Sequence, residues 1–373
     1  MRLWLALLVA LWLPARAHAQ QAAAPEAKAA ASDDDDRQGD DGSGDEAAEA
    51  ESETAEDGGG SGLRYSSDLS DEELARRFKA DLESLGTISV GFADQGRLIN
   101  AVHMPEDPAF MCQRPDLAWG TRETVDSLVA AFRAVHTRFP ESGPARLSHI
   151  GARDGGYLRP HKSHQSGRDA DIGFFYKNDQ APGARARREK FMDLPRNWTL
   201  IKSLVMLTDV QVILVDRGVQ KILRDYALQA GEDQLWVDRI FRAGKHALVQ
   251  HARRHKDHFH VRFYSPRSQE LGRRIQPLLA LRPEQNLAVI RVKRGQTLGH
   301  LAKAYGTSVV AIQRANRMRG TFLHLDQRVM IPLRKPCTKC PLPPAVVVPE
   351  RVLPEVRTAA APDVASATLG VAP

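Results

Sequence analysis

Cysteine is scarce, with three in 373 residues, and Cys112, Cys337 and Cys340 all lie outside the segments rich in histidine and aspartate. Those segments therefore carry no thiolate of their own. The lone Cys337-x-x-Cys340 pair has no second half to complete a four-ligand zinc site. In an oxidising compartment it closes a small disulfide loop and leaves Cys112 free, or Cys112 pairs with either partner. No Gly-x-x-x-x-Gly-Lys-Ser/Thr string occurs, so a nucleotide site has no basis in the sequence. Past the first nineteen residues, no apolar stretch approaches transmembrane length.

The first nineteen residues read as a secretory signal. Arg2 supplies the positive start, Leu3 to Leu13 the apolar run, and Ala17-His18-Ala19 a small-x-small cleavage site. An uncleaved membrane anchor is the alternative. The mature chain is expected to be periplasmic or secreted, without a transmembrane segment. Residues 20–62 carry fourteen acidic side chains against Lys28 and Arg37. With no aliphatic periodicity they cannot offset their ordering entropy, so an acidic disordered linker is expected. The formal charge of the whole chain is +6, so the body beyond the linker is strongly basic. Such a body suits an anionic polymer, peptidoglycan carboxylates among them. Nucleic acid competes on charge alone, but an exported protein seldom meets it.

The organisation follows from caps and periodicity. Ser70 and Glu73 form a capping box, and Leu74, Phe78, Leu82 and Leu85 recur at helical spacing before Gly86. Strands are expected at 88–92, 146–151, 169–176, 210–216 and 258–264, and helices at 122–138, 197–207 and 219–230. Strand runs without regular βαβ alternation predict an α+β domain over 63–282, built on a central antiparallel sheet with flanking helices. A smaller unit spans 286–335, and the Pro-rich residues 336–373 read as a disordered tail.

The densest chemistry lies in His161-Lys162-Ser163-His164-Gln165-Ser166-Gly167-Arg168-Asp169-Ala170-Asp171-Ile172 and in His255-Lys256-Asp257-His258-Phe259-His260-Val261-Arg262. On a strand, His258 and His260 project to one side, and Phe259 and Val261 to the other. Asp169 and Asp171 share a face by the same rule. If the two strands are neighbours, His260, Asp171 and a loop histidine such as His164 converge. Two imidazoles and a carboxylate make a three-ligand zinc site with one position left for water. His258 is then beside that water or a developing oxyanion. Arg262 is on the same side as His260, where it binds a substrate carboxylate or pairs with Asp169. Asp216 is expected to cap the helix that follows it.

His164-x-x-Gly167-x-x-x-Asp171 with His258-x-His260 resembles the metal motif of lysostaphin-type and D-Ala-D-Ala metallopeptidases. The longer strings resemble the penicillin-insensitive murein endopeptidases, over roughly residues 87–266. The resemblance implies Zn2+ held by His164, Asp171 and His260, with His258 as the active-site histidine and His255 supporting activity. It matches His161 to a residue associated with additional metal binding. Asp179 and Asp193 are nearby acidic candidates for a second site. The implied substrate is the peptide cross-link of peptidoglycan. A carboxypeptidase trimming stem peptides and an inactive wall-binding protein are the alternatives.

Residues 288–333 read strand, helix, helix, strand. Val292-x-x-Gly295-x-Thr297-Leu298, Leu301-Ala302-x-x-Tyr305-Gly306, Ala315-Asn316 and Val329-x-Ile331-Pro332 resemble a LysM domain of βααβ form. The resemblance implies binding of N-acetylglucosamine-containing glycan beside Gly295, Thr297 and Asn316, with the unit acting as a tether for the enzyme.

Overall fold

The computed structural model describes residues 62–64, 69–183, 186–241, 247–338 and 340–355. The expected signal and nearly all of the acidic linker lie outside these residues. Everything described belongs to one compact unit.

Along the chain, β1 (Gly62–Arg64) precedes α1 (Asp71–Ala80) and the hairpin of β2 (Ile88–Gly91) and β3 (Gly96–Ile99). Then come β4 (Val102–His103), β5 (Phe110–Cys112), β6 (Trp119–Gly120), α2 (Arg122–Arg138), β7 (Ala145–His149) and β8 (Asp169–Gly173). After α3 (Leu194–Leu207) follow β9 (Val210–Val215), α4 (Arg217–Gln229), α5 (Gln234–Phe241), β10 (Val249–His251) and β11 (His258–Phe263). The helix α6 (Pro266–Arg274) leads to a last group: β12 (Leu287–Arg291), α7 (Leu298–Tyr305), α8 (Val309–Ala315), β13 (Arg328–Pro332) and β14 (Val347–Pro349).

The helix starts are set by local chemistry. Ser70 Oγ accepts from the Glu73 amide, Thr121 Oγ1 from Thr124, and Asp193 from Arg196, while Asp216 accepts from Gly218. Each satisfies an amide that the first turn leaves without a partner. The Glu73 carboxylate is turned toward Arg76 and Arg77.

Six strands form the main sheet, in the order β10-β9-β11-β8-β7-β5. The fold is α+β, but the sheet is mixed. The inner strands β9, β11, β8 and β7 are antiparallel, whereas β10 runs parallel to β9 and β5 parallel to β7. Both parallel pairs are joined by helical crossovers, α4–α5 on one edge and α2 on the other, which is what a parallel connection requires.

One face of this sheet packs the core. Ala170, Ile172, Ile213, Phe259 and Val261 lie there, buried with Leu128, Phe132, Leu200 and Leu204 of the helices. The opposite face carries Asp169, Asp171, His260 and Arg262, all buried. A second core joins Leu74 and Phe78 of α1, Ile88 and Val90 of the hairpin, and Leu271 of α6. The β12–β13 pair and its two helices enclose a third, around Leu298, Leu301, Ile312, Val329 and Ile331.

The C-terminal region packs back on the rest of the chain, and the expectation of a disordered tail changes in part. The small unit is docked on the larger domain. Arg328, buried, donates from Nε to the Asp94 carbonyl at 2.8 Å and from Nη2 to its carboxylate at 2.5 Å. Gln95 Nε2 donates to the Val289 carbonyl at 2.7 Å, and the buried Arg97 reaches the side chain and carbonyl of Gln285. The tail is also ordered in part. β14 pairs antiparallel with β1, Trp236 Nε1 donates to the Val352 carbonyl at 2.6 Å, and Arg351 pairs with Asp209 at 2.8 Å. Proline restricts the chain's freedom before folding, so a Pro-rich strand with side-chain anchors costs little to order. Cys337 and Cys340 form a disulfide, and Cys112 is free.

Candidate metal centre

Strand register builds the centre. β11 lies antiparallel to β8 with His260 opposite Asp171 and Arg262 opposite Asp169. Period-two alternation then sends all four side chains to one face. Asp171 collects imidazoles around both of its oxygens. Oδ1 lies 3.2 Å from His164 Nε2 and 3.1 Å from His260 Nδ1. Oδ2 lies 3.3 Å from His149 Nε2, 3.8 Å from His161 Nδ1 and 3.9 Å from His258 Nε2.

The loop before β8 presents His164 by its backbone. His164 adopts φ 64°, in the left-handed region, and its amide donates to Asp169 Oδ2 at 3.2 Å. Its ring Nδ1 contacts the Ile150 carbonyl at 2.8 Å. That contact lets Nδ1 donate to the carbonyl and turns Nε2 to Asp171. Gly167, at φ 76°, has its Cα so near Leu98 that a Cβ would lie 2.6 Å from a Leu98 methyl. The loop passes there only with glycine.

Asp169 organises the layer behind. It pairs with Arg262 Nε at 2.6 Å and His260 Nε2 at 3.1 Å. Burial alone would raise the Asp169 carboxyl, but the Arg262 charge and the His260 contact hold it far below the usual carboxylate range. Arg262 is thus committed to a buried ion pair and is not available to bind substrate. That resolves its two readings in favour of Asp169.

The electrostatics favour a cation. Burial, the largest influence on each, pushes His149 down to about 3 and His161 to about 4, so both rings are neutral donors at neutral pH. Asp171 stays ionised: burial opposes this, but the surrounding imidazoles, His164 and His258 foremost, outweigh it. His260 is opposed by burial and pushed up to about 10 by Asp169 and Asp171. His149 Nε2, His164 Nε2 and Asp171 Oδ1 are buried without a hydrogen-bond partner. One ligand atom from each of His149, His161, His164 and Asp171 falls within 4.8 Å of all the others. Convergent lone pairs left unsatisfied by protein are what a metal ion completes.

His149 has no counterpart among the residues the sequence singled out. The β7–β8 register slips between Leu147 and His149, so His149 faces Asp171 where simple alternation puts Ser148. Such a bulge re-aims a side chain by adding one residue. Asp179 and Asp193, the candidates for a second site, are both engaged by Arg196, and Asp193 also caps α3.

His258 and His255 stand at the rim. His258 Nδ1 contacts Asp257 Oδ1 at 2.7 Å, and Asp257 is held in turn by Arg188. Burial opposes protonation of His258, but the Asp171 charge and the Asp257 contact raise it. The His255 ring packs beside His258 at a 45° tilt with centroids 4.8 Å apart, and its Nδ1 contacts the Arg253 carbonyl at 2.8 Å. In the small unit, Gly295 takes φ 79° in the first turn. Thr297 Oγ1 caps α7, and the Asn316 amide bonds the Ile312 and Met330 carbonyls and the Met330 amide. Both side chains therefore hold the unit together.

These features define an α+β protein with a buried histidine–carboxylate centre suited to a metal ion, joined to a βααβ module. The family model of the penicillin-insensitive murein endopeptidases matches residues 89–280, about half of the chain, and that of the LysM domain matches 290–332. The chain belongs to the penicillin-insensitive murein endopeptidase family and carries a C-terminal LysM domain. No curated protein matches it.

Proposed function

We propose that this protein is an exported zinc endopeptidase that hydrolyses peptide cross-links in peptidoglycan. The observation that carries the reading is the convergence of His164 Nε2 and His260 Nδ1 on Asp171 Oδ1 at 3.2 and 3.1 Å. These three residues would hold the catalytic ion, with His149 and His161 on the other oxygen of the same carboxylate. Bound zinc supplies Lewis-acid polarisation of the scissile carbonyl and acidifies a water toward a pKa of ~7. The chain does the rest. Asp169 orients His260 through its second nitrogen, and the Ile150 carbonyl orients His164. Asp257 fixes the His258 ring so that Nε2 faces the centre, where it holds or releases the proton moved during peptide cleavage. His255 packs against His258 and limits its rotation. Export is supported by the signal-like residues 2–19, and the described residues contain no helix long and apolar enough to cross a membrane. Glycan binding falls to the LysM domain, around the turn at Gly295 and the end of α8.

The test is mass spectrometry of muropeptides released from intact sacculi by the metal-replete protein, with metal content measured on the same sample. Conversion of cross-linked dimers to monomers is expected. Release of D-alanine from uncross-linked stems alone would make it a carboxypeptidase. No change in the sacculi, with zinc bound, would leave only a wall-binding protein.

A further inference from the structure

The loop that delivers His161 to the centre has a second neighbour. On one side it runs against β3, where Gly155 lies so close that a Cβ would meet the Leu98 amide nitrogen at 2.6 Å. On the other it meets the LysM domain: a Cβ on Gly156 would lie 3.0 Å from the Met330 methyl, and Arg317 pairs with Asp154. Beyond this contact, residues 157–162 and the LysM loop 324–328 face each other across a pocket of about 270 Å³. One wall carries Arg159 and Lys162, and Lys162 directly follows His161. The other carries His324, Asp326 and Arg328. Arg159 Nη1 lies 3.2 Å from His324 Nε2 across the gap.

The charge balance selects the ligand. Three cationic side chains face one carboxylate of the lining, and the Arg328 guanidinium is already committed to Asp94. Arg159 is exposed and lines the pocket, and its guanidinium contacts only the His324 ring nitrogen among the described residues, which leaves its other N–H groups open. A planar guanidinium with open donors, beside an ammonium, recognises a carboxylate in preference to a neutral group. The volume accommodates an amino-acid-sized fragment. One wall belongs to the segment that leads into His161 of the metal centre, and the other to the LysM domain. Its walls come from two domains, so it exists only while the LysM domain is docked.

We propose that this interdomain pocket binds a free carboxylate of the peptidoglycan stem peptide, making the LysM domain a part of the substrate site as well as an anchor. This rests on peptidoglycan being the substrate. Asp326 then opposes the ligand, because it lines the same space with only a 3.8 Å contact from Arg291 to offset its charge.

The test is calorimetric binding to the full-length, metal-replete protein. The probes are an uncross-linked muropeptide with free carboxylates and the same molecule with every carboxyl amidated. The wild type is expected to bind the acid form at least ~10-fold more tightly than the amide. Arg159→Gln should abolish that preference and leave amide binding unchanged, while Arg159→Lys should retain part of it. Asp326→Asn, which keeps a residue tolerant of the left-handed φ of 63° at that position, should tighten acid binding severalfold. Absence of a preference in the wild type, or its persistence in Arg159→Gln, would overturn the proposal, as would an unchanged acid affinity in Asp326→Asn. Cleavage is not part of the readout, so loss of the peptidase reading in the sacculus assay and loss of this pocket are separate results.

Discussion

His149 Nε2 stands 3.3 Å from Asp171 Oδ2, on the opposite oxygen from the one that His164 and His260 face. One carboxylate thus divides the imidazoles into two groups. The ring of His149 is neutral and its Nε2 has no hydrogen-bond partner, so nothing in the protein occupies that lone pair. His149→Ala is expected to weaken zinc retention by ~10- to 100-fold, the range for losing a group that supports a metal site. Competition with a chelator of known affinity measures this without reference to activity. Unchanged retention would make His149 a packing residue beside the centre.

Asp169 has the most to lose by substitution. Its carboxylate neutralises the buried Arg262, contacts His260 and accepts from the His164 amide. Asp169→Asn keeps the shape but leaves a buried guanidinium without its counter-charge, a change that costs about 3–5 kcal/mol. Urea unfolding of the metal-stripped protein isolates this from any effect on zinc. A paired Asp169→Leu and Arg262→Met variant should lose much less, because no charge is then stranded. A loss under 1 kcal/mol in the single variant would show that another group neutralises Arg262.

The two histidines of His258-x-His260 should separate on mutation. His260→Ala, like His164→Ala and Asp171→Ala, removes one of the three residues proposed to hold the ion and should abolish both zinc binding and cleavage. His258→Ala should keep most of the metal and lose at least ~100-fold in rate, the scale of a missing acid, base or oxyanion partner. Metal analysis and muropeptide cleavage on the same preparations decide between them. Loss of metal from His258→Ala as complete as from His260→Ala would place His258 among the ligands.

What was legible in the sequence followed from short-range rules. Alternation along β8 and β11 put Asp169, Asp171, His260 and Arg262 on one face, and capping chemistry set the starts of α1, α2 and α4. His149 was not legible, because the bulge that turns it toward Asp171 breaks the period on which such a reading depends. The parallel edges of the sheet were hidden for a related reason. The direction of β5 and β10 is set by the helices before and after them, not by their own three residues each. The docking of the LysM domain was hidden too. Arg97 and Arg328 look like ordinary surface charges until distant segments bury them, Arg328 against Asp94 and Arg97 against Gln285.

That docking has a thermodynamic consequence. Arg97 and Arg328 are buried; Arg328 of the LysM domain pairs with Asp94 of the larger domain, and Arg97 holds Gln285 of the segment that joins the two. Separating the domains exposes or strands each of these groups, and a buried charge stripped of its partner costs several kcal/mol. The two domains should therefore unfold together. Differential calorimetry of the full chain is expected to give one cooperative transition whose calorimetric and van't Hoff enthalpies agree. Asp94→Ala leaves Arg328 without its carboxylate and should lower that transition by several degrees without splitting it, since Arg97 and Gln95 still bridge the domains. Truncation after Arg282 should lower the melting temperature of the remaining domain, because Arg97 loses Gln285 and the loop bearing His161 loses its support at Met330. Two resolved transitions in the full chain, or a truncated domain as stable as the whole, would mean that the LysM domain is only a tether.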